Sequence, residues 1–173
     1  RCFGKIIAVA VIEPLIEKKS LPDICLDYDS NKKTEKDIAR NKAQICIQEF
    51  SDRIVELGSF SVLEQFRLKG GASRALLQYA LHVIQEYKID GKPLLYFIAV
   101  ANKIMLQMAK EMNIPIEYES GEIDVFNTKF KKDLLAIGFD EGTANQFIGS
   151  YAKRFPPHIL LMPVSELSKI IKT

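Results

Sequence analysis

An α/β fold, a central sheet flanked by helices, is what this sequence predicts, and three observations carry the prediction. Lys5 to Ile12 (KIIAVAVI) and Leu94 to Val100 (LLYFIAV) are continuous apolar runs with the composition of buried strands. Arg53 to Val62 (RIVELGSFSV) alternates with a period of two, as a strand does. After it, Leu76, Ala80, Val83, Ile84 and Tyr87 recur at helical spacing. The resulting order of strand, loop, helix, strand and helix demands crossover connections.

Taken in order, the first apolar run is closed by Pro14 and reads as a strand buried on both faces, at a central sheet position. Glu17 to Lys36 is polar and carries Pro22, Asp27, Asp29, Ser30 and Asn31, so a loop is expected there. Thr34 can cap a helix ending near Phe50, with Ile38, Ile45 and the neighbouring Ala and Cys positions on its apolar face. Within the strand that follows, Gly58 points to a bulge or a close backbone approach. A helix begins at Asn102 directly after the second apolar run and extends to Met112. Beyond Asn113 come a short strand around Ile114 to Tyr118, helices near Phe130 to Ile137 and Thr143 to Phe155, a strand from Ile159 to Met162, and a closing helix from Ser165 to Ile171.

The bulk properties narrow the class of function. A chain of 173 residues suits one domain with one core, residues 1–173. Hydrophobic residues at 47% and charged residues at 27% place it among folded globular chains. A net charge of +2 gives no field for nucleic acid or an anionic membrane, and no apolar run approaches the roughly 20 residues of a membrane span. Three cysteines without CxxC pairs or neighbouring histidines argue against a disulfide framework and against a metal, and a reducing cytoplasm is the expected setting. The start at Arg1 suggests that an N-terminal element precedes this segment.

The chemistry concentrates between the alternating strand and its helix, in Arg67-Leu68-Lys69-Gly70-Gly71-Ala72-Ser73. Consecutive backbone N–H groups at the start of a helix converge on an anion at the positive end of the helix dipole. Glycines allow the close approach that a pyrophosphate needs, and Arg67 and Lys69 add charge at the rim. An ordinary basic strand-to-helix turn has the same composition. It is not a Walker loop, because no Gly-Lys-Ser/Thr follows.

Arg67-x-x-Gly70-x-Ala72 resembles the Q/R-x-x-G-x-G/A signature of the GNAT superfamily of N-acyltransferases. Val55 to Val62 resembles that family's fourth strand, and Ala99-Val100-Ala101-Asn102 the end of its fifth strand, so the likeness covers Lys5 to Ile116. The resemblance implies a mixed, twisted sheet whose fourth and fifth strands splay apart, with extra helices at the C-terminus here. It implies an acetyl-CoA or longer acyl-CoA donor whose pantetheine arm meets the main chain of Phe60 and Val62. The pyrophosphate then rests on Leu68 to Ser73, and Asn102 faces the thioester, unless Asn102 is a plain helix cap. Glu56 falls where many members place the general base for the amine; a merely ion-paired strand carboxylate is the alternative. The family's helix tyrosine, the usual acid for the leaving thiolate, is Ala109 here, so either the thiolate departs unaided or Tyr118 serves instead.

A narrower resemblance is to the acyl-homoserine-lactone synthase and N-acyl amino acid synthase branch, which takes fatty acyl groups, often from acyl carrier protein. It rests on the Pro-containing loop and helix before the alternating strand, on Glu56-Leu57-x-x-Phe60-x-Val62, and on the helical insertion after Tyr118; Ser59 replaces that branch's arginine. The expected activity is acyl transfer to a primary amine on a small molecule or peptide, with a degenerate acyl-CoA sensor as the alternative. His82 and His158 lack partners at metal or triad spacing and read as structural.

Overall fold

A computed structural model describes residues 6–15, 19–28, 35–67, 71–123, 125–126 and 128–170. Its architecture is mixed α/β. Five strands form one sheet in the order β1-β2-β5-β7-β6: β1 Ala8–Pro14, β2 Ile54–Val62, β5 Tyr96–Ala101, β7 His158–Pro163 and β6 Tyr118–Glu119. Only β2 and β5 run parallel; every other neighbouring pair is antiparallel. A separate hairpin joins β3 Lys88–Ile89 to β4 Lys92–Pro93. Asp90 and Gly91 at its tip both have positive φ, 50° and 77°, the backbone of a two-residue turn that matches strand twist.

Helices cover both faces. On one side lie α1 Leu21–Tyr28, α2 Glu35–Phe50, α6 Thr128–Ala136 and α7 Glu141–Gln146, over a core that includes Ile24, Ile54, Ile98, Phe130, Leu134 and Ile159. On the other lie α4 Gly71–Glu86 and α5 Lys103–Glu111, over Val55, Leu81, Ile84, Phe97 and Leu160. A one-turn helix, α3 Glu64–Arg67, links β2 to α4. Alternation along β2 explains the division, since Ile54 enters one core and Val55 the other. Each such fully buried side chain stabilises the fold by about 1.5–3 kcal/mol.

Several elements differ from expectation. The first strand lies at the sheet edge, not its centre, and most of it is only partly buried. Pro14 suits an edge, where a missing N–H breaks no ladder. Inside the predicted loop sits α1. Ser20 and Asp23 cap it reciprocally: Asp23 Oδ2 accepts from Ser20 N at 2.9 Å, and Ser20 Oγ accepts from Asp23 N at 3.3 Å. Pro22 is tolerated because the first turn of a helix has no intrahelical use for its N–H. In α2 the buried residues are Ala43 and Ile47, whereas Ile38 and Ile45 are 61% and 51% exposed. Thr34, the expected cap, lies outside the described residues. Past α7 the chain continues as a π-helical turn, Phe147–Ala152, and the expected last helix is a 3-10 turn, Val164–Lys169.

Candidate active site between β2 and β5

Three rungs join the two central strands: Ile54–Tyr96, Val55–Phe97 and Glu56–Ile98. There the ladder stops, although β2 runs on to Val62 and β5 to Ala101. The closed end is held from outside the ladder as well. Leu95 N donates to Arg53 O at 2.9 Å, Arg53 Nε donates to Pro93 O at 3.0 Å, and Lys92 Nζ lies 3.0 Å from Asp52 Oδ2. At the open end β2 also bulges. Ala10 of β1 faces both Ser59 and Phe60, because the register moves from Val9–Ser61 to Val11–Gly58. The extra residue thus falls immediately after Gly58, where the sequence placed an irregularity.

A cavity of about 600 Å3 occupies the opening. Leu57, Gly58 and Phe60 line it from β2, and Ala99 to Asn102 with Met105 line it from β5 and the start of α5. It is large enough for a drug-sized ligand or a segment of one. Leu15 and Leu21 form a wall, and Ile137, Phe139 and Phe147 form the roof. The Phe147 ring is held by stacking on Phe130 at 6.4 Å and by an edge contact with Phe139 at 6.3 Å. Gly58 keeps the floor open: a Cβ there would meet only the Glu56 side chain, at 3.7 Å.

Two carboxylates line the cavity from β1 and β2. Glu13 and Glu56 are directly opposed across β1 and β2, and both line the cavity, Glu13 exposed at the mouth and Glu56 half-buried inside. Burial, then the negative charges of Glu13 and Asp23, push the Glu56 carboxyl up from its ordinary 4.5 to about 7. A carboxylate poised there exchanges protons near neutral pH, which suits a general base. The neighbouring Cys25 thiol is driven far up by burial and by Glu56, so it stays protonated and unreactive. Lys19 also lines the cavity, its ammonium 3.6 Å from Asp133.

Among the residues expected from sequence, the fold brings Glu56, Phe60 and Asn102 to one cavity. Asn102 acts as the cap of α5, its Oδ1 accepting from Met105 N at 2.9 Å, while still lining the space. Gly71, Ala72 and Ser73 open α4, and Arg67 ends α3. Leu68, Lys69 and Gly70, the centre of the expected anion loop, lie outside the described residues. Val62 is buried and does not line the cavity. Tyr118 is 5% exposed within the α1–α6 core, outside the lining residues, so the fold does not bring it to Glu56. Ala109 is buried in α5 and offers no proton. Glu13, Lys19 and the Phe139–Phe147 roof went unnoticed in the sequence. Only Glu13 left a local signal, as the one carboxylate in an apolar strand run.

Among the described residues no three His, Cys, Asp or Glu side chains gather as a metal site, and no helix is long and apolar enough to cross a membrane. In comparisons with known proteins, no family model, no curated protein and no solved structure matches this chain.

Proposed function

We propose that this chain is a GNAT-type N-acyltransferase that moves an acyl group from a coenzyme A thioester to a primary amine. One observation carries the reading: two parallel central strands part after three rungs around a cavity with a near-neutral carboxylate, Glu56, on its floor. The bulge after Gly58 and the helix α4 that follows β2 support it, since the first widens the gap and the second directs N–H groups toward the loop before it.

In this reading the amine nitrogen attacks the thioester carbonyl, a C–N bond forms and the C–S bond breaks. Glu56 removes the amine proton, without which no lone pair is available for attack. The thiolate leaves and takes its proton from solvent, because Ala109 is buried and apolar and Tyr118 lies away from the cavity. Holding both reactants in one narrow gap supplies the larger part of the rate.

That absence of a placed acid also motivates a second reading, a coenzyme A binding module without turnover. Calorimetry with coenzyme A, on wild type and on Gly70→Glu, combined with acyl-transfer assays over short and long donors, separates the cases. Binding that Gly70→Glu abolishes, with amide formed, supports the transferase. Equal binding by both proteins removes the donor loop from the proposal, and tight binding without product favours the module.

A further inference from the structure

We infer that the acceptor is a primary amine on an apolar body with no carboxylate beside the amino group, and that Glu13 is the residue that selects it. The inference rests on reading the cavity as the acyl-transfer site, and the cavity itself defines the place. Its lining decides the chemistry. The roof and wall, made by Phe139, Phe147, Ile137, Leu15 and Leu21, are apolar and suit an aryl or alkyl body.

The floor is acidic, and its geometry is fixed by strand pairing. Glu13 and Glu56 are Cα partners in the β1–β2 ladder, so their side chains project from the same face at neighbouring positions. Asp23 on α1 adds to the negative potential at Glu56, although its carboxylate caps Ser20. Cys25 on the same helix stays neutral. Among the described residues the lining holds one basic side chain, Lys19, and Asp133 stands against it. An ammonium entering this mouth meets Glu13 first and neutralises the like-charge opposition. Glu56, deeper inside, then accepts the proton that must leave before attack. An α-amino acid would bring its own carboxylate to the same two glutamates and be repelled.

Phenethylamine and phenylalanine share an aromatic body and differ in this one group, which makes them the test pair. Calorimetry without donor is expected to show phenethylamine binding at least tenfold tighter than phenylalanine. Glu13→Gln should weaken phenethylamine about threefold to tenfold, Glu13→Asp should restore part of that loss, and the difference should shrink in high salt because Glu13 is exposed. Phenylalanine binding as tightly as phenethylamine overturns the inference, as does a folded Glu13→Gln protein with unchanged amine affinity. Incubation with acyl-CoA donors then isolates the underlying reading. Selective amine binding with no amide formed removes the transferase and leaves Glu13 as the selector of a bound ammonium.

Discussion

Replacing Glu56 by Gln tests the electrostatics of the site without any substrate. In the folded protein this carboxyl titrates near 7, against 4.5 for the ordinary group. Below pH 4.5 the group is neutral in both the folded protein and the unfolded chain, and with no charge to bury the native state is at its most stable with respect to this residue. As pH rises from 4.5 toward 7 the unfolded chain ionises while the folded protein stays neutral, so that advantage drains away and is gone above 7, where the half-buried group ionises too. At about 1.4 kcal/mol per tenfold step, wild type should lose about 2–3 kcal/mol between pH 5 and pH 8.5 relative to Glu56→Gln, which cannot ionise. For a chain of this length that amounts to a relative change in Tm of about 5–10 °C. Thermal melts of both proteins, followed by circular dichroism at several pH values, measure it directly. If the two melting curves stay parallel across the whole range, Glu56 is an ordinary surface carboxylate and the base assigned to it is lost.

Three further outcomes follow from other parts of the molecule. If the proposed acyl transfer is right, Gly58→Ala should bind coenzyme A like wild type, because its Cβ makes only an ordinary contact, whereas Gly58→Trp should fill the cavity and abolish binding in calorimetry while the circular dichroism spectrum keeps its shape. His158 is buried with neither ring nitrogen hydrogen-bonded, and burial holds its pKa below the ordinary value, so the unfolded chain takes up the proton first as pH falls through about 6.5. The acid side of the stability profile should consequently flatten in His158→Met, and unchanged acid sensitivity in urea titrations would count against this. Phe130→Ala removes a ring that is 0% exposed and supports Phe147, and should cost about 3–5 kcal/mol in urea unfolding.

What the sequence made legible was local. The alternation of β2, the apolar run of β5 and the Asn102 cap all arise from interactions within a few residues, and each element formed where its pattern stands. The rest depends on contacts between distant segments. An apolar run such as Ile6 to Ile12 looks central whether a neighbour covers it or not, and here β1 forms an edge. Pro22 read as a breaker because its tolerance in a first turn depends on the Ser20–Asp23 cap beside it. On α2 the small residues of the expected face, Ala43 with Ala39 and Cys46 around it, do make the close approach to the core, whereas Ile38 and Ile45, expected beside them, stay exposed. In the candidate site, Glu56, Phe60 and Asn102 could be picked out along the chain, but the opposition of Glu13 is a matter of strand register. Phe139 and Phe147 reach the cavity only through the packing of α6 and α7.

The bonds clustered at the shared root of β2 and β5 have a mechanical consequence. Six residues of β2 extend beyond the last common rung, about 20 Å of strand at roughly 3.3 Å per residue. A rotation of a few degrees at that root displaces the far tip by an ångström or more, as a tweezer's jaws respond to a change at its hinge. Asp52, Arg53 and Lys92 line no part of the cavity, yet their bonds tie together the end from which β2 and β5 diverge.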